Sequence, residues 1–145
     1  FAPGPPRPAV RAHGRAAYPE EGCGVLLGRA TPGGHAVEAV LPVANRRAVD
    51  RRRRYAIGPD DYRRAERAAR TRGLDVVGFY HSHPDHPARP SATDLAEATF
   101  PGYTYVIVAV AQGTPGAVTA WTLAPDRSRF DAEPIDLHLQ PTASP

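Results

Sequence analysis

Apolar residues along this chain recur at two spacings, and each change of spacing marks a new element. Residues 6–17, PRPAVRAHGRAA, put Val10, His13 and Ala17 on one helical face. CGVLLGR at 23–29 is an apolar run with a glycine near each end, as in a buried strand. TPGG at 31–34 reads as a turn, and HAVEAVLPV alternates well enough to return as the second strand of a hairpin. YAI at 55–57 predicts a short strand. GPDDYRRAERAARTRG at 58–73 carries the clearest helical signal. Pro59 suits a first turn, Asp60 and Asp61 complement the dipole, and Gly73 is a stop; Tyr62, Ala65 and Ala69 form a narrow apolar face. LDVVGFYHSH is a strand ended by Pro84, and SATDLAEAT a short helix. YTYVIVAVA and GAVTAWTLA are strands around QGTPG, and RFDAEPIDLH is a last edge strand. This order predicts an α/β fold with a mixed sheet sandwiched by helices.

Length and charge narrow the class. A chain of 145 residues suits one domain and can bury a core without disulfides. The expected domain covers 1–140, with 141–145 as a disordered tail. No run of eighteen apolar residues exists, so no membrane span is expected, and FAPGPPRPAV has no apolar signal core. The one cysteine, Cys23, cannot pair within the chain, which fits a reducing cytoplasm. A formal charge of +3 permits an acidic partner without demanding nucleic acid.

The polar residues concentrate in GFYHSHPDHPARPSATD, 78–94. In a strand, residues i and i+2 share a face, so His81 and His83 present two imidazoles side by side. Alone, such a pair is a weak signal and reads first as two partly exposed, hydrogen-bonded histidines. Ser91 reads as a helix N-cap, and Ser-x-x-Asp is also a capping-box pattern. A helix starting beside the strand's end would aim Asp94 at the same point. Two histidines and one carboxylate make three protein ligands, the number catalytic zinc sites commonly use. Zinc lowers the pKa of a water to roughly 7, and a base is still needed to take its proton. Glu20 and Glu21, at the start of an apolar run, point to opposite faces of a strand, so one of them at most faces the metal.

EGCGVLLG followed by HSHPDHPARPSATD resembles the JAMM (MPN-plus) zinc hydrolases. Their pattern is an upstream Glu, then His-x-His-Pro and, seven residues after the second His, Ser-x-x-Asp. Seven residues, Pro84 to Pro90, separate His83 from Ser91 here. The resemblance runs from about Tyr18 to Trp121. It implies a single JAMM/MPN domain of the cytidine-deaminase-like kind. It implies Zn2+ held by His81, His83 and Asp94, Glu21 as general base three residues before Gly24, and Ser91 as oxyanion donor.

YPEEGCGVLLG, ANRRAVDRRRRYAIGPDDY and HSHPDHPARPSATDLAEATFPGYTYVIV resemble the bacterial Mec group in particular. That implies a ubiquitin-like, ThiS-type sulfur-carrier protein with a C-terminal Gly-Gly as partner, and release of cysteine from its terminal glycine. Few residues separate Asp94 from Tyr103, so the long insertion of ubiquitin-chain enzymes has no room. The alternatives are a desampylase or deubiquitinase-like isopeptidase acting on lysine-linked conjugates, a non-catalytic MPN scaffold, and a peptidoglycan-type peptidase. Candidate substrate-binding residues are Cys23, which also reads as a small buried hydrophobe, and Arg51, Arg52, Arg53 and Arg54. The arginine run reads either as a solvated loop or as a docking surface for an acidic protein. Nucleic acid is disfavoured because no aromatics interleave the arginines.

Overall fold

The computed structural model describes residues 6–134. The expected tail at 141–145 and the last part of the expected edge strand lie outside the described residues. Helix α1 (Pro6–Ala17) precedes a hairpin of β1 (Cys23–Thr31) and β2 (Gly34–Val43). Helix α2 (Pro59–Thr71), β3 (Asp75–Pro84), the short α3 (Ala92–Glu97), β4 (Thr104–Ala111), β5 (Thr114–Leu123) and β6 (Phe130–Glu133) follow. The strands form one six-stranded sheet in the order β2-β1-β3-β4-β5-β6. Only the β3–β4 pair is parallel; α3 lies in the crossover between those strands.

Helices cover both faces of the sheet. Val10 of α1 packs with Leu26, Val40, Tyr80, Val106 and Val108 on one face. Ala65 and Ala69 of α2 pack with Val25, Leu27, Phe79 and Tyr105 on the other, where Leu95 of α3 also rests. The two α1 faces differ by a small rotation: the buried line is Pro6, Val10 and Gly14, not Val10, His13 and Ala17. Gly14 is there because a Cβ would lie 2.9 Å from Val110 Cγ2. In α2 the buried line is Asp61, Ala65 and Ala69, with Tyr62 half-buried. Asp61 tolerates burial because Arg46 donates to both its oxygens, at 2.9 and 3.2 Å. That guanidinium holds the Asp61 carboxyl below its ordinary pKa. It also ties the segment after β2 to α2.

The strand expected at 55–57 does not form. Its backbone pairs with the other arm of the loop instead: Ala56 N–H donates to Asn45 Oδ1, its carbonyl accepts from the Arg46 N–H, and Asn45 Nδ2 donates to the Arg54 carbonyl. The QGTPG turn is also tighter than expected. Gln112 and Gly113 both have positive φ, 50° and 83°, as a two-residue hairpin turn requires, so Thr114 already belongs to β5.

One irregularity sets which way the histidines point. Leu26 pairs with Gly78 and Leu27 with Val76, so Val77 is an extra residue in β3. Beyond this bulge Phe79 faces α2 and Tyr80 faces α1. By alternation His81 and His83 share the Phe79 face. Gly78 is required beside the bulge, since a Cβ there would lie 1.8 Å from the Thr104 carbonyl oxygen. Replacing Gly78 with Ala must part β3 from β4. It should cost about 1–3 kcal/mol or more, read as a lowered denaturation midpoint. Gly33→Ala, where a Cβ meets nothing within 4 Å, should change little. Equal midpoints for the two variants would show that the β3–β4 contact has slack.

Candidate metal centre

The C-terminal end of β3 brings His81 and His83 to the start of α3. His81 Nε2 lies 3.1 Å from His83 Nε2, 3.2 Å from Asp94 Oδ1, and His83 Nε2 lies 2.9 Å from Asp94 Oδ2. All three residues are buried. Ser91 caps α3 through a full capping box: its Oγ accepts the Asp94 N–H at 3.0 Å, and its own N–H donates to Asp94 Oδ2 at 2.9 Å. The capping contact therefore also aims the carboxylate.

The donor chemistry of this cluster fits a cation. His83 Nδ1 lies 2.8 Å from the Pro87 carbonyl, which can only accept, so Nδ1 carries the proton. In neutral His83 the Nε2 lone pair then faces both a carboxylate oxygen and a second imidazole nitrogen. Such a contact is repulsive unless a positive charge sits among the three. In the metal-free chain a proton meets part of that need. Burial works against charge on His83, but the Asp94 hydrogen bond and charge hold its pKa above the ordinary value. Burial depresses that of His81. Asp94, despite burial, is pulled well below the carboxylate range by His81 and His83. The three separations are close to the roughly 3.3 Å edge of a tetrahedron whose ligands lie about 2.0–2.1 Å from its centre.

Glu21 belongs to the same row. Cys23 pairs with His81, and the Ser82 N–H donates to the Gly22 carbonyl, so the antiparallel register carries Glu21 to the level of His83. Glu21 is 4% exposed whereas Glu20 is exposed. Its Oε1 is buried without a hydrogen-bond partner. Burial, then the charges of Asp94 and Glu97, push its pKa up to about 9. Its backbone is fixed on both sides: the N–H donates to the Arg51 carbonyl at 2.7 Å, and its carbonyl accepts from Asn45 Nδ2 at 3.1 Å.

The other candidates separate. Cys23 is fully buried and its thiol pKa is pushed up to about 12 by burial, so it offers neither a surface nor a thiolate. Arg51, Arg52 and Arg53 are exposed, and Arg54 is half-buried against Glu97. His86 is exposed and outside the cluster. Two residues that sequence reasoning missed support the centre. Tyr55 stacks on His81 with centroids 4.5 Å apart and planes at 20°. Asn45 pins the loop that carries Tyr55. Only an Asx residue two positions after a strand hinted at the latter, since such residues hold turns. A cavity of about 650 Å³ opens beside the centre, with Tyr55, Tyr62, Phe79, Phe100 and Asp94 in its wall. Among the described residues no helix is long and apolar enough to cross a membrane.

The family model for prokaryotic homologs of the JAB domain matches residues 7–124. The chain belongs to the prokaryotic JAB-domain family. The expected JAMM/MPN relationship and the mixed α/β fold are thereby met. A desampylase from Haloferax volcanii is 43% identical over 89 residues, which are 61% of this chain and 62% of that protein. A CysO-cysteine peptidase from Mycobacterium tuberculosis is 35% identical over 100 residues, 69% of this chain and 66% of that protein. This JAB-family chain thus spans about two thirds or less of these curated relatives. A solution structure of a protein from Salinibacter ruber, 60% identical, superposes with a TM-score of 0.71 over 94% of this chain and 90% of that one.

The raised Glu21 pKa has a consequence for the metal-free chain. Between its ordinary value of 4.5 and about 9, the folded chain holds a proton that the unfolded chain has released. Stability must therefore fall as pH rises through that window. Glu21→Gln removes this loss. With metal stripped by chelator, the variant should melt above the wild type at pH 8 and close to it near pH 4.5. A gap that did not shrink toward low pH would show that Glu21 is ionised when buried.

Proposed function

We propose that this chain is a zinc hydrolase that cuts the amide bond after the C-terminal glycine of a ubiquitin-like protein, and that the physiological substrate is a sulfur carrier bearing one cysteine. The observation that carries this reading is the unpartnered Glu21 Oε1, buried in the same row as the His81–His83–Asp94 cluster. A carboxyl so placed has no structural partner and needs a task. His81, His83 and Asp94 would hold the zinc. Zinc, when bound, supplies Lewis acidity toward the scissile carbonyl and makes a water more acidic.

The protein's own groups supply the rest. Glu21 takes a proton from the attacking water as the new C–O bond forms at glycine. It returns that proton to the nitrogen as the C–N bond breaks, leaving a carboxylic acid on the carrier and a free amine. Held beside His81, His83 and Asp94, a cation would offset the Asp94 charge that helps raise the Glu21 pKa, bringing Glu21 closer to a value suited to a base. Ser91 Oγ already accepts the Asp94 N–H. Its own O–H is free to donate to the oxygen that gains charge. Half-buried Tyr55 stacks on His81 and covers one face of that ring. Only residues 98–103 separate α3 from β4, which supports a small leaving group over a second folded protein.

A lysine isopeptide is the second reading. It is favoured by the higher identity to the Haloferax protein named desampylase, 43% against 35% for the CysO-cysteine peptidase. The two are separated by offering carrier–cysteine and a lysine-linked ubiquitin-like conjugate at equal concentration. Preferential release of cysteine is expected; preference for the conjugate would replace the first reading by the second.

Metal binding is checked independently. The wild type should hold one zinc per chain by elemental analysis, and the His83→Ala/Asp94→Ala variant should hold none after dialysis. Full occupancy in that variant would place the metal elsewhere. Glu21→Gln should retain zinc yet lose activity by a factor of about 10²–10⁴, while Glu20→Gln should stay within a few-fold of wild type. An active Glu21→Gln enzyme would remove Glu21 from the mechanism.

A further inference from the structure

Two guanidinium groups close on one carboxylate at the cavity beside the metal centre. Arg54 Nη1 lies 3.4 Å from Glu97 Oε2, and Arg47 Nη1 lies 4.0 Å from the same atom. Among the described residues neither arginine has another carboxylate within ion-pair distance. Among the described residues the trio therefore carries one surplus positive charge with no further ion-pair partner. Glu97 is three residues beyond Asp94 in α3, so both project from one helix face, a turn apart. Arg47, Asp94 and Glu97 line the same cavity. Arg47 lines the cavity and Arg54 stands beside it through the shared Glu97 contact; their side chains are 26% and 40% exposed, so solvent screens them only in part.

We propose that Arg47 and Arg54, ordered around Glu97, form a subsite for the α-carboxylate of the amino acid that hydrolysis releases. The inference rests on the cysteine-release reading and specifies how that leaving group is recognised. When the C–N bond after glycine breaks, the nitrogen takes a proton and leaves as the amine of an amino acid. Its α-carboxylate carbon is two bonds from that nitrogen, so the carboxylate must enter the cavity with it. A lysine side chain in a folded protein brings no carboxylate so close to its nitrogen. The surplus charge thus distinguishes the two leaving groups. A guanidinium fork also matches a carboxylate with two parallel hydrogen bonds. Every one of the 18 basic side chains in this protein is an arginine, so the loop offers forks and no ammonium groups. Glu97 keeps two long side chains at the rim before substrate arrives, which reduces the entropy lost on binding.

The test uses the zinc-loaded full chain and two peptides ending in Gly-Gly-S-methylcysteine, one with a free carboxylate and one with a carboxamide. The methyl group keeps the thiol from binding metal. The wild type should favour the carboxylate peptide about tenfold in kcat/KM, the scale of one partly exposed charge-assisted hydrogen bond. Arg47→Gln/Arg54→Gln should bring that ratio near one, and Arg47→Lys/Arg54→Lys should restore part of it. A second readout needs no turnover: free S-methylcysteine, and not its amide, should shift the Nε–Hε resonances of Arg47 and Arg54. Equal cleavage of both peptides by the wild type would overturn the subsite, as would a preference that survives Arg47→Gln/Arg54→Gln. A preference seen only with a whole carrier would assign the charge to acidic groups on that partner instead. If neither peptide nor carrier–cysteine is cut while a lysine-linked conjugate is, the cysteine-release reading fails and takes the subsite with it.

Discussion

In the buried cluster of His81, His83 and Asp94 the Nε2 lone pair of neutral His83 meets an Asp94 oxygen, and the surrounding structure holds the two together. His83 gives its one neutral-state proton to the Pro87 carbonyl, so its other nitrogen has nothing to offer Asp94. Left alone, the three groups would separate or take up a proton. They are prevented from separating by β3, which is hydrogen-bonded on both sides, to β1 and to β4. An edge strand could twist away and relieve the repulsion; an interior strand cannot. The energy of the sheet is thus used to hold an arrangement that a cation relieves.

Asp94 shows how a stabilising contact and a candidate metal ligand can be the same group. In the capping box its Oδ2 accepts the Ser91 N–H, and the same oxygen faces His83 while Oδ1 faces His81. A cap of this type is worth about 1 kcal/mol to its helix. At six residues, α3 is too short to stand on propensity, and the cap is a large share of its support. Helix stability and ligand position are therefore coupled. The aspartate side chain is short enough to reach back to Ser91 and still present both oxygens to the histidines.

Much of this was legible in the sequence because it depends on period and spacing. The helices at 6–17 and 59–71, the hairpin and the same-face histidines follow from local patterns. The Ser-x-x-Asp spacing marked the start of α3. What was not legible depends on distant chain segments meeting. Nothing near Tyr55 in sequence says that it stacks on His81, and YAI has the composition of a strand. It forms none in the structure, where Ala56 donates to the Asn45 side chain and accepts from the Arg46 N–H. Asp61 looked like a dipole partner on an exposed turn, and became buried because Arg46 arrives from the loop. Glu20 and Glu21 could be told apart from the residues only as opposite faces; burial of Glu21 and exposure of Glu20 separate them in space.

The loop after β2 connects these levels. Arg46 fastens it to α2, Asn45 fastens it to the Glu21 carbonyl and to its own far side, and Tyr55 fastens it to His81. Each anchor lies inward of the arginines at its tip. Charge at the tip can therefore meet a carboxylate without moving the loop's base, whereas loss of an inner anchor would disturb the Glu21 backbone and the His81 ring together. This division follows from dielectric as well as from geometry. The carboxyls of Glu21 and Asp94 are buried, so the charges there interact strongly and must be fixed. At the rim water weakens each interaction, and the long arginine side chains can re-pair at little cost. The fixed groups of the candidate centre thus sit on strand β3 and the α3 cap, and the adjustable charges sit on the loop.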